Sequence, residues 1–218
     1  MSLKFPTGEG NLINHNWSDL ATGTGFKTFY CASVIEASTE TYYLLPEALQ
    51  TFTRYTSANN TAIELNFNLP FYLPTRLKGK GYINIPIIAY NTTGNGKAGS
   101  FAATLKFYKV VGVAETQIGS TVSATLSYNL APAVAGVCYW NAFMLCGAID
   151  IPLTLFKPAE SLRLEITTAA SGNTGVYVMI FHDPKNYGLT AELDAFLNSE
   201  TTLLSSISLI NLPFKIDL

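Results

Sequence analysis

The chain has 218 residues, with 13 Lys and Arg against 15 Asp and Glu and a net charge of −2. Charged residues make up 13% of it and hydrophobic ones 48%, where a soluble domain usually carries roughly 25% charge. Those proportions exclude a disordered chain, which needs low hydrophobicity and high net charge, and a polybasic nucleic-acid binder. A chain this long buries roughly 70% of its unfolded surface and needs neither metal nor disulfide to fold.

The N-terminal run Met-Ser-Leu-Lys-Phe-Pro from Met1 has no apolar core of the secretory type, so synthesis in a cytoplasm is expected. Residues 1–26 read as an arm. The Asn-X-Ser/Thr sequences at Asn16, Asn59 and Asn91 then read as turns rather than glycosylation sites. Strands are expected at 27–35 and 41–45, around a turn at 36–40. Two helical turns are expected at 46–54, with Pro46 in the first position.

Period-two alternation dominates the middle of the chain. Across 63–73 the odd positions are Ile63, Leu65, Phe67, Leu69, Phe71 and Leu73, and the even ones include Glu64, Asn66, Asn68 and Pro70, which is a half-buried strand. The pattern returns with Ile83, Ile85 and Ile87, with Leu105 and Phe107, with Ile149, Ile151, Leu153 and Leu155, and with Leu162, Leu164 and Ile166. Residues 176–181 are apolar at successive positions, the mark of a central strand. Gly- and Asn-rich stretches at 91–96 and 170–175, and Gly112 within 111–117, read as hairpin loops joining antiparallel neighbours. Residues 116–149 contain no charge. Pro132, Gly136, Asn141 and Gly147 interrupt the most apolar part, so it reads as loop and strand rather than a membrane-spanning helix. A short helix is expected at 189–198, with Thr190 as cap and Leu193, Phe196 and Leu197 on one side.

The strand count and short loops predict an all-β fold. The expected form is an antiparallel β-sandwich of two sheets, jelly-roll-like, with about eight to ten strands and one or two short helices. The sandwich would span 27–187, and 188–218 would be a short helix and a C-terminal strand arm. Pro70, Pro86, Pro152 and Pro213 fall in the polar register of alternating runs, where each marks an edge, a bulge or a strand end. In the arm, Ile210, Leu212, Phe214, Ile216 and Leu218 alternate with Asn211, Pro213, Lys215 and Asp217. This strand either completes its own sheet as a last edge or crosses to a neighbouring copy as an assembly arm.

Chemistry-bearing motifs are scarce. Cys31, Cys138 and Cys146 lack metal-ligand or redox spacing and read as buried free thiols. His15 and His182 are the only histidines, and no nucleophile-elbow, zinc-protease or phosphate-loop pattern occurs. His182-Asp183-Pro184 reads as a strand end and turn. Trp17, Tyr42, Tyr43, Tyr128, Tyr139 and Trp140 could build an aromatic platform for sugars, though such residues more often fill cores and interfaces. No catalysis, cofactor or metal is expected.

From Gly81 to Tyr187 four stretches occur in order. They are the alternating strand; Leu-Lys-Phe-Tyr-Lys-Val-Val from Leu105 with Thr-Gln-Ile-Gly-Ser from Thr116; Leu153 to Ile166, ending Leu-Arg-Leu-Glu-Ile; and Val-Met-Ile-Phe-His-Asp-Pro from Val178. Together they resemble jelly-roll structural proteins of tailed phages and related viruses. The resemblance implies a non-catalytic capsid, decoration, vertex or tail component, made in the host cytoplasm and located in the virion. Its partners would be copies of itself and other virion proteins, with no nucleic acid and no membrane span. The alternative is a glycan- or cell-surface-binding module of a fibre or adhesin, with a glycan receptor.

Overall fold

Alternation in the sequence becomes strand in the chain. The computed structural model describes residues 3–6, 12–15, 24–36, 39–47, 54–134, 138–182, 191–192, 203–204 and 208–215. They form fifteen strands: β1 (Leu3–Pro6), β2 (Leu12–His15), β3 (Thr24–Glu36), β4 (Thr39–Leu45), β5 (Arg54–Asn59), β6 (Ile63–Pro70), β7 (Thr75–Asn91), β8 (Lys97–Val111), β9 (Ala114–Leu130), β10 (Tyr139–Phe156), β11 (Ser161–Thr168), β12 (Val176–His182), β13 (Ala191–Glu192), β14 (Leu203–Leu204) and β15 (Leu209–Lys215). The fold is all-β, with more strands than the eight to ten expected. No helix occurs among the described residues. Of the two expected helices, Pro46 and Glu47 form a bend, Arg54 opens β5, and Ala191–Glu192 is strand; the other residues of both segments lie outside the described ones.

Two runs of antiparallel strands carry the core. One is β5-β12-β7-β10 and the other β6-β11-β8-β9. In β6, Ile63, Leu65, Phe67 and Leu69 are buried while the residues between them face outward. β11 answers with buried Leu162, Leu164 and Ile166. Each such side chain contributes about 1.5–3 kcal/mol, and a slip of one residue would turn all of them outward. Both runs feed one apolar cluster, which also takes in Ile83, Ile85 and Ile87 of β7 and Leu105 and Phe107 of β8.

The expectation of two separate sheets is corrected by β15, β3 and β4. β12 pairs with β7 only from Ile87 to Asn91. β15 takes the remaining edge, from Leu77 to Asn84. β15 then pairs with β3, β3 with β4, and β4 touches β6 through a single parallel bridge, Tyr43 to Asn68. Hydrogen bonding therefore runs without a break through one thirteen-stranded sheet.

Two expected hairpins are also corrected. β7 and β8, joined by 92–96, are not ladder partners, and neither are β11 and β12, joined by 169–175. Both loops carry the chain from one run to the other. Only β8 and β9 form the expected hairpin, through a turn at Gly112 and Val113 with Val111 opposite Ala114. The prolines fall as their missing N–H requires. Pro70 ends β6, Pro152 sits in a bulge of β10, and Pro213 lies where β15 shifts register against β7. Pro86 stands where the flank of β7 changes from β15 to β12.

β9 and β10 close the molecule's remaining side without a ladder between them. A Cβ on Gly119 would lie 2.4 Å from the Asp150 carbonyl oxygen, and one on Gly147 would lie 2.7 Å from Val122. Further along, the backbone N–H of Asn129 donates to Asn141 Oδ1 at 2.9 Å. The two strands thus run side by side over most of their length, and glycine at 119 and 147 permits the approach.

Candidate functional site

At one end of the molecule the connections 60–62, 92–96 and 169–175 gather with residues 131–134, and asparagine amides knit them. Buried Asn91 donates from Nδ2 to the carbonyls of Asn95 at 2.8 Å and Ala131 at 2.9 Å, and its Oδ1 accepts from the Thr93 N–H and hydroxyl. Thr92 N–H donates to the Gly175 carbonyl at 3.0 Å, and Gly175 N–H to Asn59 Oδ1 at 3.0 Å. Tyr128 hydroxyl donates to the Ser171 carbonyl and accepts from Asn173 Nδ2, both at 2.7 Å. These polar atoms are occupied by one another, so the knot locks the loops in place.

The outward face of β6-β11-β8 holds a ladder of ionisable groups. Lys106 Nζ lies 2.9 Å from Glu165 Oε1, and Tyr108 hydroxyl reaches the same oxygen at 3.5 Å. Arg163 donates from Nε to Asn68 Oδ1 at 2.9 Å and pairs with Glu115. The Glu165 carboxylate raises the pKa of Lys106 by hydrogen bonding, with Tyr108 adding to it. At the edge of this face Lys109 lies 2.7 Å from Glu160 and holds that carboxyl below its ordinary range, helped by the Lys157 N–H. The alternating Lys-X-Tyr and Arg-X-Glu of β8 and β11 place these groups on one face. Their pairing across strands was not legible from either segment alone.

The outward face of β10-β7-β12 is apolar. Ile88, Tyr90, Cys138, Met179 and Phe181 form a second cluster, with Trp140 and Tyr177 against it. Tyr90 and Tyr177 stack at 5.0 Å. A pocket of about 240 Å³ opens here between Pro86, Ile88, Ala142, Met144 and Phe181. A groove of about 450 Å³ lies between β4 and the end of β6, lined by Tyr43, Leu45, Leu69 and Tyr72.

The residues singled out from sequence are scattered through these features. Ile210 and Leu212 are fully buried on β15, and Phe214 packs beside Phe29; Ile216 and Leu218 lie outside the described residues. β15 is flanked on both sides, by β3 and β7 of its own chain, where a last edge was one of the expectations. His182 is buried, with its ring edge-on to Tyr42 at 5.6 Å and to Phe67 at 6.2 Å; Asp183 is not among the described residues. The aromatic residues do not assemble into one platform. Tyr42 packs inward on Phe67, Tyr128 is locked in the loop knot, and Tyr139 and Trp140 stand on β10; Trp17 is outside the described residues. The three thiols are free, Cys31 and Cys138 buried and Cys146 exposed. Burial pushes the Cys138 pKa up. Among the described residues no group of three or more His, Cys, Asp and Glu could hold a metal, and no helix is long and apolar enough to cross a membrane.

No family model and no curated protein matches the sequence. Solved structures do match the fold. A CocE/NonD family hydrolase from Staphylococcus aureus aligns over 98% of this chain and 41% of its own, with a TM-score of 0.51 and 10% identity. An aminopeptidase from a marine sediment archaeon, Thaumarchaeota archaeon, aligns over 88% of this chain and 37% of its own, with a TM-score of 0.50 and 8% identity. The chain thus spans about two fifths of the structures it resembles. The Gt strain of infectious bursal disease virus also aligns, over 99% of this chain at 11% identity, but with a TM-score of 0.27. The resemblance to viral structural proteins is met only in that coarse form, and a likeness this slight carries no argument. The expectations of a non-catalytic virion component and of a protein that is no enzyme are overturned by these likenesses to a hydrolase and an aminopeptidase, whose TM-scores are about twice that of the viral protein. At these identities the likeness itself speaks to the fold.

Proposed function

We infer that the chain is a jelly roll that works in a hydrolase as its β-rich portion. The pairing orders β5-β12-β7-β10 and β6-β11-β8-β9, with the chain crossing between runs at nearly every connection, support the jelly-roll reading. The observation that carries the functional reading is that nearly the whole chain, 98% of it, follows a share of a CocE/NonD family hydrolase. In that role the rigid double-run body, with its loops locked at one end by Asn91 and Tyr128, would hold and frame a reaction site. The expected substrates carry a hydrolysable acyl bond, an ester or an N-terminal peptide bond.

The test is turnover of a panel of nitrophenyl esters and aminoacyl nitroanilides by the full chain. The panel is applied to the chain alone and to the complex isolated with it from its native source. Hydrolysis that co-elutes with the chain supports the reading. A chain inert on the whole panel in both forms overturns it.

A further inference from the structure

At the end opposite the asparagine knot, the turn after β6, the β8–β9 hairpin and the end of β10 come together. Register places them there: Pro70 and Val110 both face Ser161, Val111 faces Ala114, and Phe156 faces Thr75. Ten large apolar side chains are exposed among the described residues, and six of them are at this end: Tyr72, Leu73, Val111, Val113, Leu153 and Leu155. Tyr72 is 82% exposed, Leu73 75% and Val113 fully.

Their exposure is built in. Phe71 N–H donates to the Glu160 carbonyl and the Phe71 carbonyl accepts from Ala159 N–H, both at 2.9 Å. The Phe71 ring is buried against Phe156 at 4.7 Å. Thr75 hydroxyl donates to the Leu73 carbonyl at 3.0 Å. Lys109 crosses from β8 to the Leu155 carbonyl at 2.7 Å and ties the two runs together beneath the tip. The chain is therefore fastened on both sides of Tyr72 and Leu73, which are held out into solvent.

A basic row adjoins the tip. Arg76, Lys78 and Lys80 take alternate exposed positions on β7. Arg76 stands opposite exposed Leu155, and Lys80 opposite Asp150. Among the described residues, Glu160 and Glu115 at this end are engaged, by Lys109 and Arg163.

We propose that this end docks on an anionic membrane surface, with the Tyr72-Leu73 turn and Val113 entering the interface and Lys78 and Lys80 meeting lipid phosphates. Apolar side chains project at this end from the turn after β6, from the β8–β9 hairpin and from the last residues of β10. A bilayer interface accommodates such a tip without a matching concavity, and a partner protein would need one. Interfacial binding grows with apolar area buried and with attraction to anionic lipid, and tyrosine suits the headgroup region because its ring is apolar and its hydroxyl polar. The proposal goes beyond the hydrolase reading and does not depend on it.

The experiment is flotation of the full chain with phosphatidylcholine vesicles, with and without phosphatidylserine. The chain should float with the anionic vesicles, and added salt should release it. Leu73→Ser with Val113→Ser should weaken binding by about tenfold or more at an unchanged melting temperature, since both side chains are exposed in the free protein. Lys78→Glu with Lys80→Glu should remove the preference for phosphatidylserine. Absence of flotation with either vesicle, or flotation unaltered by both variants, overturns the proposal. So does self-association in light scattering that the apolar variant abolishes while the parent chain fails to float, which would assign the tip to a second copy.

Discussion

Alanine at Gly119 tests the closure between β9 and β10, because two independent costs meet there. Gly119 has φ +74°, a left-handed conformation that costs an L-residue roughly 1–2 kcal/mol. Its new Cβ would also lie 2.4 Å from the Asp150 carbonyl oxygen and 2.7 Å from Ile149 Cγ2. The first of these is backbone and cannot rotate away, so overpacking adds about 1–3 kcal/mol. Gly112 separates the two costs: its φ is +60° but a Cβ there meets nothing within 4 Å. Gly147 supplies the contact alone, 2.7 Å from a Val122 methyl, with no positive φ to add to it. Gly112→Ala should therefore cost about 1 kcal/mol and Gly119→Ala about 3–4, with Gly147→Ala between them. At about 2–4 °C per kcal/mol for a chain of this size, thermal melts should place Gly119→Ala roughly 10 °C below the parent and Gly112→Ala roughly 3 °C below. Equal melting temperatures for these two variants would mean that β9 does not lie against β10, and the closed core would be wrong.

The Lys109–Glu160 pair should mark the acid limb of stability. The folded pKa of Glu160 is held below 4.5, so the pair's contribution is present above that pH and is lost as pH falls through the lowered value. Melting temperature against pH should be flatter there in Glu160→Gln, and an unchanged slope would mean that the pair contributes nothing. The raised pKa of Lys106 acts at the other extreme: its contribution is present below pH 10.5 and lost as pH rises past the raised value, which Lys106→Met should abolish. Under native conditions iodoacetamide should modify Cys146 quickly and Cys31 and Cys138 only after denaturation; mass spectrometry showing three fast thiols would contradict their burial. Deleting 208–218 removes buried Ile210 and Leu212 and strips a partner from both β3 and β7, so the cooperative melt should disappear. A truncated chain that stays folded but changes its oligomeric state in light scattering would show instead that the strand is exchanged between copies.

Strand positions were legible because alternation is local. The inward sets Ile63, Leu65, Phe67 and Leu162, Leu164, Ile166 are buried as the pattern predicts. The doubly apolar β12 is central, between β5 and β7. Partners were not legible, because turn chemistry describes a loop's φ angles and not its destination. The 91–96 loop and the Gly112 turn both use residues that tolerate positive φ, yet one crosses between runs and the other closes a hairpin. What distinguishes them is Asn91, whose amide reaches the Ala131 carbonyl forty positions away, a contact no local window contains. The same limit hid the place of β15. Its alternation looks half-buried, and only the early departure of β12 from β7 shows that an edge is open to receive it.

A charge-free stretch such as 116–149 invites the idea of a surface hidden against other copies. The fold accounts for the inward half of it. On β10 the inward side chains Leu145 and Ile149 enter the main core, while Trp140 on the other face packs against the second cluster. On β9 the inward Val122, Ala124 and Leu126 pack against the main core, and the residues between them are Ser123 and Thr125, with Ser127 next in the same register. A charge at the inward positions would be desolvated with no partner to offset the cost, whereas Ser123, Thr125 and Ser127 are exposed and uncharged. Asp150 is the first charge to return, just before the bulge between Ile151 and Thr154. Low charge on the inward side follows from the core, and the uncharged outward side by itself does not favour a virion over any other setting. A fold of this kind hosts many chemistries, and what separates them here is whether acyl-bond hydrolysis travels with the chain.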